Sequence, residues 1–202
     1  GVTCSTGACA EGECVARALH TDLRFPWSMQ YHDGFIYFTE HSFNGGDDGT
    51  VKRFATSNPE QVEQLVIGLE SPTGLAIDAD HVFTCNTRHQ TTDMVWRAPL
   101  AGPPTGAEEL AVGLNLAGSG VSYLYGIAAG GGFVFYLDEN TLYRQSAMGN
   151  EADEYSGFGT FARGLIFDAG WLYFVQSGTV FRVPADWSVL TPPAPQAIAI
   201  LP

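Results

Sequence analysis

Three observations predict an all-β fold. No stretch carries a convincing helical period, and 24 Gly and 11 Pro punctuate the 202 residues almost throughout. Short β-branched and aromatic runs recur between Gly- and Asp-containing turns. The runs also repeat as a set. Segments 26–40, 72–86, 124–138 and 162–176 share one pattern: a small residue, an apolar run, a turn, and a β-branched and aromatic run. Their anchors Ile36, Val82, Val134 and Leu172 lie 46, 52 and 38 residues apart.

Each repeat continues with a third run that carries Arg at a fixed place, at Arg53, Arg97, Arg144 and Arg182. Four of the nine basic residues therefore occupy one repeat position. A further apolar stretch closes each unit, at 62–69, 108–114, a degenerate 151–158, and 196–201. Four short strands per unit, at a period of about 40–50 residues, are the signature of propeller blades. One blade has two apolar faces and cannot bury both alone, so blades stack around an axis. A flat sandwich would not require the same Gly, aromatic and Arg positions four times. The prediction is a β-propeller of four four-stranded blades with an extra N-terminal strand. The blades fall at about 26–70, 71–116, 121–159 and 160–202 within a propeller of 15–202, behind a Cys-rich segment, 1–14.

The extra strand comes from the likeness of 16–26 to 66–72, which leaves one outer strand in surplus. A closed four-bladed ring is the favoured reading. A partial wheel completed by another copy is the alternative, with the surplus strand exchanged between chains.

The stretch from Leu23 through Pro26 and Gly34 to Glu40 resembles the repeat of secreted bacterial propellers. Similar repeats occur in NHL/TolB-like families, streptogramin-lyase-like proteins and soluble quinoprotein sugar dehydrogenases. The resemblance implies the fold over about 15–202. Those families usually have six or seven blades against four here. Streptogramin-lyase-like enzymes use His and Glu with a divalent cation, but no second His-rich motif matches theirs, and no residue role is carried over.

With 9 basic against 22 acidic residues the formal charge is −13, which disfavours nucleic-acid binding and docking on anionic membranes. Lys52 is the single Lys, and no apolar run is long enough to insert into a membrane. The hydrophobic fraction of 45% supports a real core. Cys4, Cys9 and Cys14 crowd a small, polar segment that disulfides would order, and Cys85 stands apart in an apolar run. Four Cys allow three full pairings, and spacing does not choose among them. Their spacing is not that of a zinc site. This usage and the low Lys content point to an extracellular, periplasmic or cell-surface protein. The first residue is Gly1 rather than Met, as expected of a processed or trimmed chain.

No nucleotide-binding, nucleophile-elbow or zinc-protease motif occurs in its required context. The weak candidates are polar. Glu40, Asn86, Asp138 and Gln176 end the second strand of each unit, next to His41, Thr87, Glu139 and Ser177. Converging on one rim, these oxygens would suit Ca2+, with Asp47, Asp48, Asp138 and Glu139 as the metal candidates. As turn formers they serve equally well. His41 beside Glu40 is the best general-base candidate, because a carboxylate orients an imidazole. The four Arg are expected to pair with acids or carbonyls of the same or the next blade rather than to bind an anion. No certain cofactor is implied.

The leading function is a binding or self-assembly module, working through rim loops or an exchanged edge strand on a protein partner or another copy. A cation-dependent lyase or hydrolase near Glu40 and His41 is the alternative.

Overall fold

A computed structural model describes residues 9–10, 13–14, 18–42, 46–86, 93–101, 107–114, 126–137, 141–149, 152–156, 162–186 and 194–200. All its regular structure is β. A two-stranded pair, β1 (Cys9–Ala10) and β2 (Glu13–Cys14), precedes four antiparallel sheets. The first sheet is β3 (Pro26–His32), β4 (Phe35–Glu40), β5 (Gly49–Ala55) and β6 (Asn58–Leu69). The second is β7 (Pro72–Ile77), β8 (His81–Asn86), β9 (Asp93–Pro99) and β10 (Glu108–Leu114). The third is β11 (Gly126–Gly130), β12 (Phe133–Leu137), β13 (Thr141–Ser146) and β14 (Ala152–Ser156). The fourth is β15 (Arg163–Asp168), β16 (Trp171–Gln176), β17 (Thr179–Pro184) and β18 (Gln196–Ile200). Every sheet is a simple meander, the architecture of a propeller blade.

The first turn of each blade follows from local chemistry. Asp33–Gly34, Gly131–Gly132 and Ala169–Gly170 all have positive φ at both residues, the geometry that matches the twist of a two-residue hairpin. The second blade lacks Gly here. Asp78 closes its turn instead, its carboxylate accepting from the Asp80 and His81 amides at 2.8 and 2.7 Å.

Three apolar clusters lie between successive blades. Tyr37, Val51 and Leu65 meet Leu75, Ile77 and Val82 between the first and second. Ala76, Phe83 and Cys85 meet Ile127, Val134 and Tyr136 between the second and third. Ala128, Phe135 and Leu137 meet Leu165, Leu172 and Phe174 between the third and fourth. Inner strands touch closely: a Cβ at Gly126 would stand 2.9 Å from the Leu165 amide nitrogen.

β3 packs on β7, β7 on β11 and β11 on β15. Among the described residues no comparable packing joins β15 back to β3, so the four blades form an open arc and not the favoured closed ring. Residues 18–25 also differ from expectation, running without a ladder instead of forming a strand. Asp22 and Phe25 both have positive φ, at 64° and 44°, which an extended strand cannot hold. The segment lies against the free face of the first blade, where the His20 ring sits 5.7 Å from that of Phe54.

Candidate functional site

Two of the polar residues that end the second strands, Glu40 and Asn86, act as backbone caps. One oxygen of Glu40 accepts the Arg24 amide at 2.9 Å, and the other accepts the Lys52 ammonium at 2.6 Å. Asn86 Oδ1 accepts the amides of Glu70 and Ser71 at 3.1 and 2.9 Å. Glu40 and Asn86 thus tie down the chain just before their own blades begin, and both are buried. Gln176 ends β16. Asp138, Glu139 and Thr87 lie outside the described residues, as do the loops at 43–45, 87–92, 102–106 and 115–125.

His41 does not form a dyad with Glu40, whose two oxygens are engaged elsewhere. Its Nε2 is buried with no hydrogen-bond partner, and its ring lies 4.8 Å from that of Trp27. Burial holds the imidazole below its ordinary range, partly offset by a bond to the Pro72 backbone. This half-buried imidazole packs against the Trp27 ring. Asp47 and Asp48 are exposed. The Asp48 carboxyl is held below its usual range by the Ser42 hydroxyl and by Arg24, whose guanidinium lies 2.6 Å away. Among the described residues no group of three or more His, Cys, Asp or Glu is placed to hold a metal ion.

Cys85 is a thiol buried in the second intersheet cluster. Cys9 and Cys14 stand opposite one another in the register of β1 and β2, and Cys4 lies outside the described residues.

The recurring Arg residues are the most regular feature. Each stands opposite an acid or amide of its blade's outer strand, in the pairs Arg53–Glu63, Arg97–Glu108, Arg144–Asp153 and Arg182–Gln196. Three of them also reach into the next blade. Arg53 donates to the Leu100 carbonyl at 2.7 Å, Arg97 to that of Ala147, and Arg144 to that of Ala185 at 3.5 Å. These acceptors are equivalent. The amides of Leu100, Ala147 and Ala185 bond back to Asp80, Gly132 and Gly170, the first-turn residues of their blades. The fourth Arg breaks the series: Arg182 bonds to Gln196 at 3.2 Å and lies 4.3 Å over the Trp171 ring.

The same break appears in the apolar residues. Register makes Met29 the counterpart of Leu75 and Ile127, since they stand opposite Phe38, Thr84 and Tyr136. Leu75 and Ile127 are 8% and 6% exposed, whereas Met29 is 72% exposed. Ile166 is the counterpart of Ala76 and Ala128, opposite Tyr173, Phe83 and Phe135. Ala76 and Ala128 are 1% and 5% exposed, whereas Ile166 is 63% exposed. Trp27 and Tyr31 are exposed beside Met29, and Val175 beside Ile166. A largely apolar groove of about 380 Å³ runs along the first face between Leu23, Trp27, Met29, Ile36, Phe38 and Phe54.

The candidate site is therefore this pair of end faces. Sequence reasoning missed it because Met29 and Ile166 carry the same pattern as their buried counterparts. Only the missing neighbour distinguishes them.

By sequence alone the chain matches no family model and no curated protein. Solved structures match the fold. A chain of a nidogen/laminin complex aligns at 12% identity and a TM-score of 0.59, over 75% of this chain and 56% of that one. The periplasmic gluconolactonase of Pseudomonas aeruginosa aligns at 13% and 0.59, over 82% of this chain and 53% of its own. The computationally designed Ika4 protein aligns at 14% and 0.56, over 84% of this chain and 99% of its own. This chain thus spans about half the length of the first two, which are natural proteins. The likeness shows the β-propeller fold.

Proposed function

We propose that the chain is an exported protein-binding and self-assembly module whose contact surfaces are the two end faces of its blade arc. One observation carries the reading. Met29 and Ile166 are exposed at repeat positions that every interior blade buries. Contiguous exposed apolar faces mark interaction sites. The fold alone does not decide function: matched structures include both a gluconolactonase and a nidogen/laminin complex. Support for a binding role over a cation-dependent enzyme is local. Both oxygens of Glu40 are committed to structure, and His41 Nε2 is enclosed.

Peroxide oxidation of the native chain, read by mass spectrometry, tests whether the first face is presented. Met148 is the internal standard, because it is 71% exposed against 72% for Met29. In dilute, monomeric chain the two should oxidise at similar rates. A slow Met29 in a chain shown to be monomeric would mean that the face is covered from within, and the reading would fall.

A further inference from the structure

We infer that the partner of each end face is the opposite end face of a second copy, so that two chains close one ring of eight blades. This rests on the end-face reading above and adds the identity of the occupant.

The chain supplies its own template. Each of its three interfaces joins the same two surfaces. The forward face of one blade, with Arg at its centre, meets the rear face of the next, which presents a turn carbonyl. The arc ends in one surface of each kind that no neighbouring blade covers. On the first blade residues 18–25 lie over Phe54 and would have to make room, while Met29 and Tyr31 stand exposed. On the fourth blade the forward face carries Ile166, Val175 and Arg182. On the first blade the rear face carries Met29 and Tyr31.

The polar part matches as well. Thr56 is the first-blade counterpart of Leu100, Ala147 and Ala185, since its amide bonds back to Gly34 at 2.9 Å, as theirs do to their own first turns. Its carbonyl therefore sits where Arg182 of the partner subunit would reach. Ile166 would meet Met29 of the partner subunit, as Ala76 shares a cluster with Ile127, and Ala128 with Leu165. Gly164 adds an independent sign. Cβ atoms built at its counterparts Gly74 and Gly126 would meet the next blade within 3 Å, but one at Gly164 meets nothing within 4 Å.

Blade number limits the stoichiometry. Propellers typically close with about four to eight blades. Two four-bladed copies reach the upper end of that range, and three exceed it. A head-to-tail contact closes into a ring when the rotation allows, and here it would form two identical interfaces.

Light scattering on the full chain, combined with a mixing experiment, tests this. The chain should pass from its own mass of 21.7 kDa to twice that as concentration rises, and no further. Met29→Asp damages one end and Ile166→Asp the other, so each variant alone should stay at the chain mass. Mixed together they should pair again, because each still offers one intact end. This recovery also shows that both variants are folded. Arg182→Met should raise the dimer dissociation constant at least about tenfold, by removing one charged hydrogen bond from each interface. A wild-type chain that stays monomeric at every concentration would overturn the proposal, and the oxidation test would then decide separately whether the faces serve another protein. Dimerisation of either variant alone, or failure of the mixture to pair, would also overturn it.

Discussion

The Arg53 guanidinium lies 2.7 Å from the carbonyl of Leu100, one blade further along the chain. The same group stacks 4.8 Å over the Phe35 ring and bridges to Glu63 at 2.8 Å. One side chain thus joins the second, third and outer strands of its own blade to the turn of the next. Arg suits this position because its planar fork donates in several directions at once and stacks on aromatic faces. Lys offers neither the fork nor the plane.

The arginine series yields a comparison within one molecule. Arg97→Met removes the donor to Ala147, which is buried, and leaves its carbonyl unsatisfied. The expected loss of stability is about 1–3 kcal/mol. Arg182→Met removes a donor that reaches no further blade within the chain. Its expected effect on the dilute chain is about 0.5–1 kcal/mol, from the stacking on Trp171. Urea unfolding of both variants at low concentration checks this. Equal losses would mean that the interblade bond contributes nothing.

Much of this was legible in the sequence. The strands were, because β-branched and aromatic runs between turn residues leave few alternatives. The Arg position was, because a long cation recurring at one place in an acidic chain needs a fixed partner. Residues 18–25 were not. Leu23 and Pro26 mimic Leu69 and Pro72, but Asp22 and Phe25 adopt left-handed backbone that no local pattern announces. The open ends were also hidden. Met29 and Leu75 are both apolar residues three places after a Pro, and their difference in burial depends on a blade that is present beside one and absent beside the other. Glu40, Asn86 and Gln176 do end their strands, but the pattern is compatible with either a cation site or a cap. The Arg24 amide on Glu40 and the Glu70 and Ser71 amides on Asn86 show these two at work as caps.

Glu40 gives the second stability prediction. Its buried carboxylate holds both the Arg24 amide and the Lys52 ammonium, whose side chain is itself largely buried. Glu40→Ala orphans both partners, and breaking a buried pair from one side costs about 3–5 kcal/mol. Glu40→Gln keeps an acceptor and a similar shape, so its loss should be clearly smaller. Adding Lys52→Met to Glu40→Ala should recover part of the stability, because it removes the stranded charge. A double-mutant cycle on these substitutions checks all three expectations. Strict additivity would mean that the two side chains do not act together.

His41 gives the pH prediction. Burial lowers its pKa in the folded chain, while the unfolded chain keeps the ordinary value of about 6.5. Above that value the imidazole is neutral in both states and adds no pH dependence. As pH falls through about 6.5 the unfolded chain takes up a proton that the folded chain resists, and stability declines until the lowered folded pKa is passed. The enclosed Nε2 is the structural reason, because a proton there finds no acceptor. Urea midpoints measured from neutral to mildly acidic pH should therefore fall more steeply for the native chain than for His41→Gln, which cannot titrate. The other histidines contribute equally to both proteins, so the difference between the two slopes isolates His41. If the slopes coincide, His41 is as readily protonated in the folded chain as in the unfolded one, and its packing against Trp27 places no constraint on its charge.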